Sequence, residues 1–127
     1  MITNILLIML GLQLKHYLAD YVFQTSRMVA EKGDFSKLGG YAHAGAHVFG
    51  SAIVFAVLVP INLAAAGIIV GEFVVHYLID FAKVHGSKGV RMSERPKLYW
   101  SLHGLDQLAH QLTYLGMVVL VIFANHW

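Results

Sequence analysis

The stretch Ile61–His85, INLAAAGIIVGEFVVHYLIDFAKVH, decides how this chain folds. About 20 consecutive apolar residues cross the hydrocarbon of a bilayer as a helix, and this run is long enough while still carrying Glu72, His76 and Asp80. Those three recur at i, i+4, a spacing that stacks side chains on one helix face a turn apart. Ionisable groups inside a span are costly, and by default they mark function. The same stretch therefore predicts a membrane-crossing helix and points to where chemistry would lie.

Working outward, three more apolar runs have the same character: Ile2–Phe23, Tyr41–Val59 and about Leu98–Phe123. Pro60 divides the second span from the third, because proline donates no helical hydrogen bond and clashes with the preceding turn. A tight helical hairpin is expected there. Polar segments fill 24–40 and 86–97, with Pro96 suited to the first turn of the last helix. Only helices and closed barrels satisfy their backbone groups in lipid, and these runs lack the alternation of a barrel strand. The expected fold is all-α, a four-helix transmembrane bundle forming a single integral membrane domain over 1–127, with both termini on the non-cytoplasmic side.

Composition agrees. The chain is 57% hydrophobic and only 13% charged, against roughly a quarter charged in a soluble domain. It has no cysteine, so disulfides and thiolate metal sites are excluded and any metal must be held by histidine and carboxylate. A formal charge of +2, with basic residues in loops rather than in a stripe interleaved with aromatics, argues against nucleic acid. Met1–Gly11 has neither a basic leader nor a small-residue cleavage site and is expected to be retained. Arg27, Lys32, Lys37, Lys88, Arg91, Arg95 and Lys97 all fall in the first and third connections. The positive-inside rule places those loops in the cytoplasm, where simple anchoring is the expected role of their basic side chains. Ala42, Ala46 and Gly50, and Gly67 with Gly71, recur every four residues and would permit close helix approach. No internal repeat or low-complexity segment stands out.

The ionisable residues within the spans are His16, Asp20, His43, His47, Glu72, His76, Asp80, Asp106 and His110. Every set repeats at i, i+4, and all four helices contribute. Fifteen His, Asp and Glu positions in this chain would give roughly two such pairs if placed at random, whereas five occur at a spacing that helical stacking uses. Depth strengthens the pattern. Asp20 and Asp80 lie late in outgoing helices, His43 and Asp106 early in returning ones, so all nine fall within about 5 to 20 Å of the loops at a 1.5 Å rise. A buried charge costs about 2.5 to 3.5 kcal/mol on insertion scales, so four carboxylates would cost on the order of 10. About two divalent ions would offset that, and the nine residues supply enough ligands for them. Zinc is the first expectation, manganese or iron the next.

Hydrogen-bonded pairs that merely stitch helices together are the competing explanation for any single His/Asp pair. His85, His103 and His126 are read as surface or interface residues, His103 being the one nearest a ligand position. Lys15 and Lys83 are expected to snorkel or pair with a carboxylate, with a substrate phosphate as the sharper alternative for Lys15. Gln107 and Gln111 are candidate donors behind the ligands. The tyrosines and tryptophans are expected at the membrane interfaces.

Lys15-His16-Tyr17-Leu18-Ala19-Asp20-Tyr21 with Gln24, the His43/His47 pair, Glu72-Phe73-Val74-Val75-His76 with Asp80, and Asp106-Gln107 with His110 together resemble an uncharacterised family of small bacterial and phage polytopic membrane proteins. The resemblance spans nearly the whole chain and implies a multi-pass protein of the bacterial inner membrane, with no activity to carry over. More distantly, the pattern is similar to membrane-bound metal-dependent hydrolases and to the zinc phospholipase C and P1 nuclease group, whose His-x-x-x-Asp and His-x-x-x-Glu pairs hold clustered zinc. Here the acidic residue precedes the histidine in Glu72/His76 and Asp106/His110, and Met1 does not match the N-terminal ligand of the soluble enzymes.

The expected function is hydrolysis of a phosphate ester, a lipid headgroup being the natural substrate near the membrane surface. Metal-bound hydroxide would attack, with Glu72 or Asp106 as general base. A proton or divalent-metal transporter using the same residues as a relay, and a structural or accessory membrane protein, are the competing expectations. Lipid bilayer is the expected environment, and a homo-oligomer is allowed.

Overall fold

A computed structural model describes residues 1–127 and is helical throughout, without strands. Helix α1 spans Ile2–Tyr17, α2 Ser26–Glu31, α3 Leu38–Leu58, α4 Leu63–Gly86 and α5 Pro96–Asn125. α1 runs on into one π-helical turn, Leu18–Val22, closed by the Phe23 N–H donating to the Leu18 carbonyl at 2.9 Å. With that turn included, four helices are long and apolar enough to cross a membrane.

The connections follow from local chemistry. Pro60 forces the residue before it out of the helical region, and Val59 is extended at φ −121°, ψ 138°. Asn62 then caps α4, accepting from the Ala65 N–H at 2.8 Å, while its amide donates to Asn125 at the end of α5. The first polar segment holds structure that its composition hides: Thr25 caps α2 by accepting from the Met28 N–H at 3.3 Å. α2 packs against α3. Gly39 and Gly40 permit that contact, since a Cβ on Gly39 would lie 2.8 Å from Glu31 Cβ and 2.9 Å from the Arg27 carbonyl oxygen. This is why α3 begins at Leu38, ahead of the apolar run at Tyr41. Pro96 takes the first turn of α5, where a missing N–H costs nothing.

α1 neighbours α3, α3 neighbours α4, α4 neighbours α5, and α5 returns to α1. The four long helices thus form a ring with α1 diagonal to α4 and α3 diagonal to α5. Its interior has two layers. Ile8, Leu12, Phe55, Val59, Ala65, Met117, Val118 and Val121 fill the half nearest the chain ends, while His16, His43, His47, Glu72, His76, Asp80, Asp106 and His110 are buried in the half nearest the polar loops. The outer surface is the reverse of a soluble protein's. Leu10, Leu14, Phe49, Ile53, Val70, Val74, Leu78, Leu108, Leu112 and Leu115 all face outward, a contiguous apolar belt that water would not tolerate and hydrocarbon would. Of the small residues, Gly50 does make a close approach, its Cβ position lying 2.9 Å from Lys15 Cβ, whereas Gly67 and Gly71 have nothing within 4 Å.

Candidate metal centre

The π turn is the device that shapes the first wall of the site. A π turn inserts a residue into the helical ladder and re-aims the side chains beside it. Asp20 lies in this one, and its carboxylate meets three imidazoles: His47 Nε2 at 3.0 Å, His43 Nε2 at 3.2 Å and His16 Nε2 at 3.3 Å. α4 supplies the facing wall. Asp80 lies 3.4 Å from His76 Nε2, 3.4 Å from His43 Nε2 and 3.6 Å from His110 Nε2, and His110 Nε2 is also 3.5 Å from Asp106.

All five imidazoles thus point Nε2 inward at an aspartate. Three overlapping groups, His16/Asp20/His47, His43/His47/His76 and His76/Asp80/His110, have donor atoms within 4.8 Å of one another. Ligands at about 2.1 Å from a tetrahedral zinc stand about 3.4 Å apart, so these separations suit an ion at the centre. His43 Nδ1 and Nε2, His76 Nε2 and Asp106 Oδ1 are buried without a hydrogen-bond partner. Leaving such groups unsatisfied costs about 1–3 kcal/mol each, and a cation among them would remove that cost.

Glu72 sits apart from the ring, paired with Lys15 from the diagonal helix. Both are buried, and Glu72 Oε2 has no partner. Lys15 lays its stem against Gly50 and holds its ammonium 4.4 Å from the Tyr114 ring centroid. Lys15 is therefore engaged at the floor of the cluster, on the side away from the loops. Lys32 pairs with Asp80 at 3.1 Å, and Lys83 stands 3.7 Å from Asp106. All three buried carboxylates, Glu72, Asp80 and Asp106, accordingly have a lysine; the half-buried Asp20 has only histidines. The charge balance drawn from the spans alone omitted Lys32, which its position in a polar loop marked as an anchor.

Tyr114 also departs from expectation. It lies wholly inside the bundle instead of at an interface, with its hydroxyl 2.8 Å from His16 Nδ1 and 3.5 Å from His47 Nδ1. Its spacing to His110, one turn on along α5, was the available signal. Gln107 does reach a ligand candidate, its Oε1 lying 3.1 Å from His16 Nε2. On the loop side of the ring, a cavity of about 270 Å³ is lined by Gln24, Lys32, Lys83, Ser87, Tyr99 and His103 among others. His103 belongs to this mouth, while His85 folds back on its own helix, Nδ1 lying 2.9 Å from the Phe81 carbonyl oxygen.

An apolar-jacketed ring of four long helices around buried histidines and carboxylates defines the class: a small all-helical protein with four helices long and apolar enough to cross a membrane and a polar, histidine-rich interior. Within that class, the chain belongs to the DUF3307 family of proteins of unknown function, whose profile matches residues 6–127. Neither a curated protein nor a solved structure matches it.

Proposed function

We propose that this protein is a membrane-embedded, metal-dependent hydrolase of phosphate esters, built on a His/Asp/Glu cluster of about two divalent ions, zinc first and manganese or iron next. The observation that carries the reading is the convergence of five Nε2 atoms on Asp20, Asp80 and Asp106, each within 3.6 Å of a carboxylate oxygen. Packing alone has no reason to gather five imidazoles at one depth, two of them, His43 and His76, with unsatisfied nitrogens. Such ions would lower the pKa of a bound water and polarise a phosphoryl oxygen. Around them the chain supplies the rest. Asp106, with one oxygen unpartnered, would take a proton from an attacking water, while Glu72 is held by Lys15 and would be the less available base.

The substrate class is supported by the mouth of the bundle. Eight of the nine lysines and arginines, all but Lys15, lie in the loops or at the helix ends beside them, a field that draws anions. The same asymmetry supports a bacterial inner-membrane protein with the loops and the cluster towards the cytoplasm and both termini outside. A phospholipid headgroup would meet the cavity at interface depth. A transmembrane relay is disfavoured by the layer of Ile8, Leu12, Phe55, Val118 and Val121, which offers a proton or cation no polar route to the far side.

The test is hydrolysis of a short-chain phosphatidic acid by the protein in neutral-lipid nanodiscs. Phosphate release should require added zinc or manganese, stop with chelator, and fall by at least two orders of magnitude in His110→Ala. Release that is indifferent to chelator and to this substitution, or no release with the cluster metal-loaded, would remove the hydrolase.

A further inference from the structure

We infer that the chain is a duplicated helical hairpin whose two copies each build one metal position, and that the two positions differ in chemistry, the second being the one that faces substrate. This rests on the metal reading above and divides its cluster.

The duplication lies in the residues that line the site. GLQLKHYLAD at 11–20 returns as GEFVVHYLID at 71–80, sharing Gly, His, Tyr, Leu and Asp in register. The sequence alone did not bring this out, because the flanking apolar residues are interchangeable. In the ring, α1 and α4 occupy opposite corners and run parallel, as do α3 and α5. Matching α3 to α5 through His47 and His110 then equates His43 with Asp106, Ser51 with Tyr114 and Phe55 with Val118, and every one of these is buried.

The geometry repeats as well. In the first half, His16 of the same helix meets Asp20 Oδ2 at 3.3 Å and His47 of the next helix meets Oδ1 at 3.0 Å. In the second, His76 meets Asp80 Oδ2 at 3.4 Å and His110 meets Oδ1 at 3.6 Å. Each half therefore offers one aspartate clasped by an intrahelical and an interhelical imidazole.

The halves part at the fourth ligand. His43 stands 3.2 Å from Asp20 and 3.4 Å from Asp80, beside the His16/Asp20/His47 group; drawn onto the first ion, it would complete three imidazoles and one carboxylate, a nitrogen-rich set suited to zinc. Asp106 takes the equivalent place in the second, setting a second carboxylate beside the His76/Asp80/His110 group, a harder environment that also accepts manganese or iron. Lys32 and Lys83, both lining the cavity at the mouth, touch only the second half's carboxylates, Asp80 and Asp106. A phosphoryl group arriving there would meet the Lys32 and Lys83 ammonium groups beside the second position. The first position would brace the bundle, and the second would face substrate.

The experiment is metal analysis of the full chain in detergent after zinc loading and desalting, with His16→Ala and His110→Ala, two residues outside the His43/His47/His76 group that joins the halves. Wild type should hold two ions, each variant one, and the double variant none. Cobalt titration of the unsubstituted protein should give two successive steps with different visible spectra, which keeps the inference testable if a variant does not fold. Manganese added to the metal-free protein should occupy one position in wild type and none in His110→Ala. One ion in wild type, retained in both variants, would place a single metal on His43, His47 and His76 and overturn the inference while leaving a metal hydrolase standing. Simultaneous loss of both ions in either single variant would also overturn it. Two ions lost singly, without phosphatidic acid hydrolysis, would support the two positions and remove the hydrolase instead.

Discussion

Lys15 and Glu72 make the least forgiving contact in the molecule. They join diagonal helices, both are buried, and the cation also faces the Tyr114 ring. Removing one member of such a pair leaves the other charge uncompensated, at about 3–5 kcal/mol, whereas replacing both by neutral groups of similar volume is close to neutral. Lys15→Met and Glu72→Gln should each lower unfolding stability in micelles by about that much, and the double substitution should recover most of it. Two additive losses would mean the residues act separately. This pairing was only half legible in the sequence. The i, i+4 recurrence announces that Glu72 faces inward with His76 and Asp80, but nothing along α1 says that Lys15, beside His16, reaches across the bundle instead of snorkelling outward. Tyr114 was missed for a similar reason: a tyrosine in a span reads equally well as an interfacial anchor and as a hydrogen-bonding partner, and only the direction of its helix face separates the two.

Where the elements meet, the short α2 ties the first polar loop to the start of α3. Glu31 at its end accepts from Arg27 Nε at 3.0 Å and from the Gly39 N–H at 2.6 Å, so one carboxylate both braces α2 and caps the otherwise open start of α3. The Arg27 side chain first, and then the Gly39 amide, hold this carboxyl below its ordinary value of 4.5. A depressed folded value means that the contact stabilises fully above the ordinary value and that its contribution is lost as the pH falls from there through the lowered one. Hydrogen exchange at Gly39 and Gly40, corrected for intrinsic rate, should therefore quicken below about pH 4.5, and Glu31→Ala should show the fast exchange already at neutral pH. A Gly39 amide equally protected in the variant would mean that another acceptor caps α3. α2 itself was hidden because its six residues carry no apolar periodicity long enough to recognise. The π turn was hidden more deeply, since Leu18–Val22 continues the apolar run without a Gly or Pro to signal a break.

The assembled protein is an apolar shell around an interior split between apolar packing and buried histidines and carboxylates. Its long helices could be read directly from four apolar runs, because lipid imposes length and continuity on any span. The shared depth of the ionisable residues could be read too, from alternating helix direction. What no single run could supply was the third dimension: that α1 and α4 sit diagonally, that their HYLAD and HYLID segments oppose each other across one ring, and that Lys15, Lys32 and Lys83 answer Glu72, Asp80 and Asp106, Lys32 from outside the spans. The proposed chemistry requires a cation at the centre of that ring. Zinc K-edge absorption on the zinc-loaded protein in nanodiscs tests this most directly. It should give a nitrogen and oxygen first shell at about 2.0–2.1 Å, with the multiple-scattering signature of several imidazoles per metal. Zinc that washes away, or a shell of oxygen alone without imidazole scattering, would contradict it.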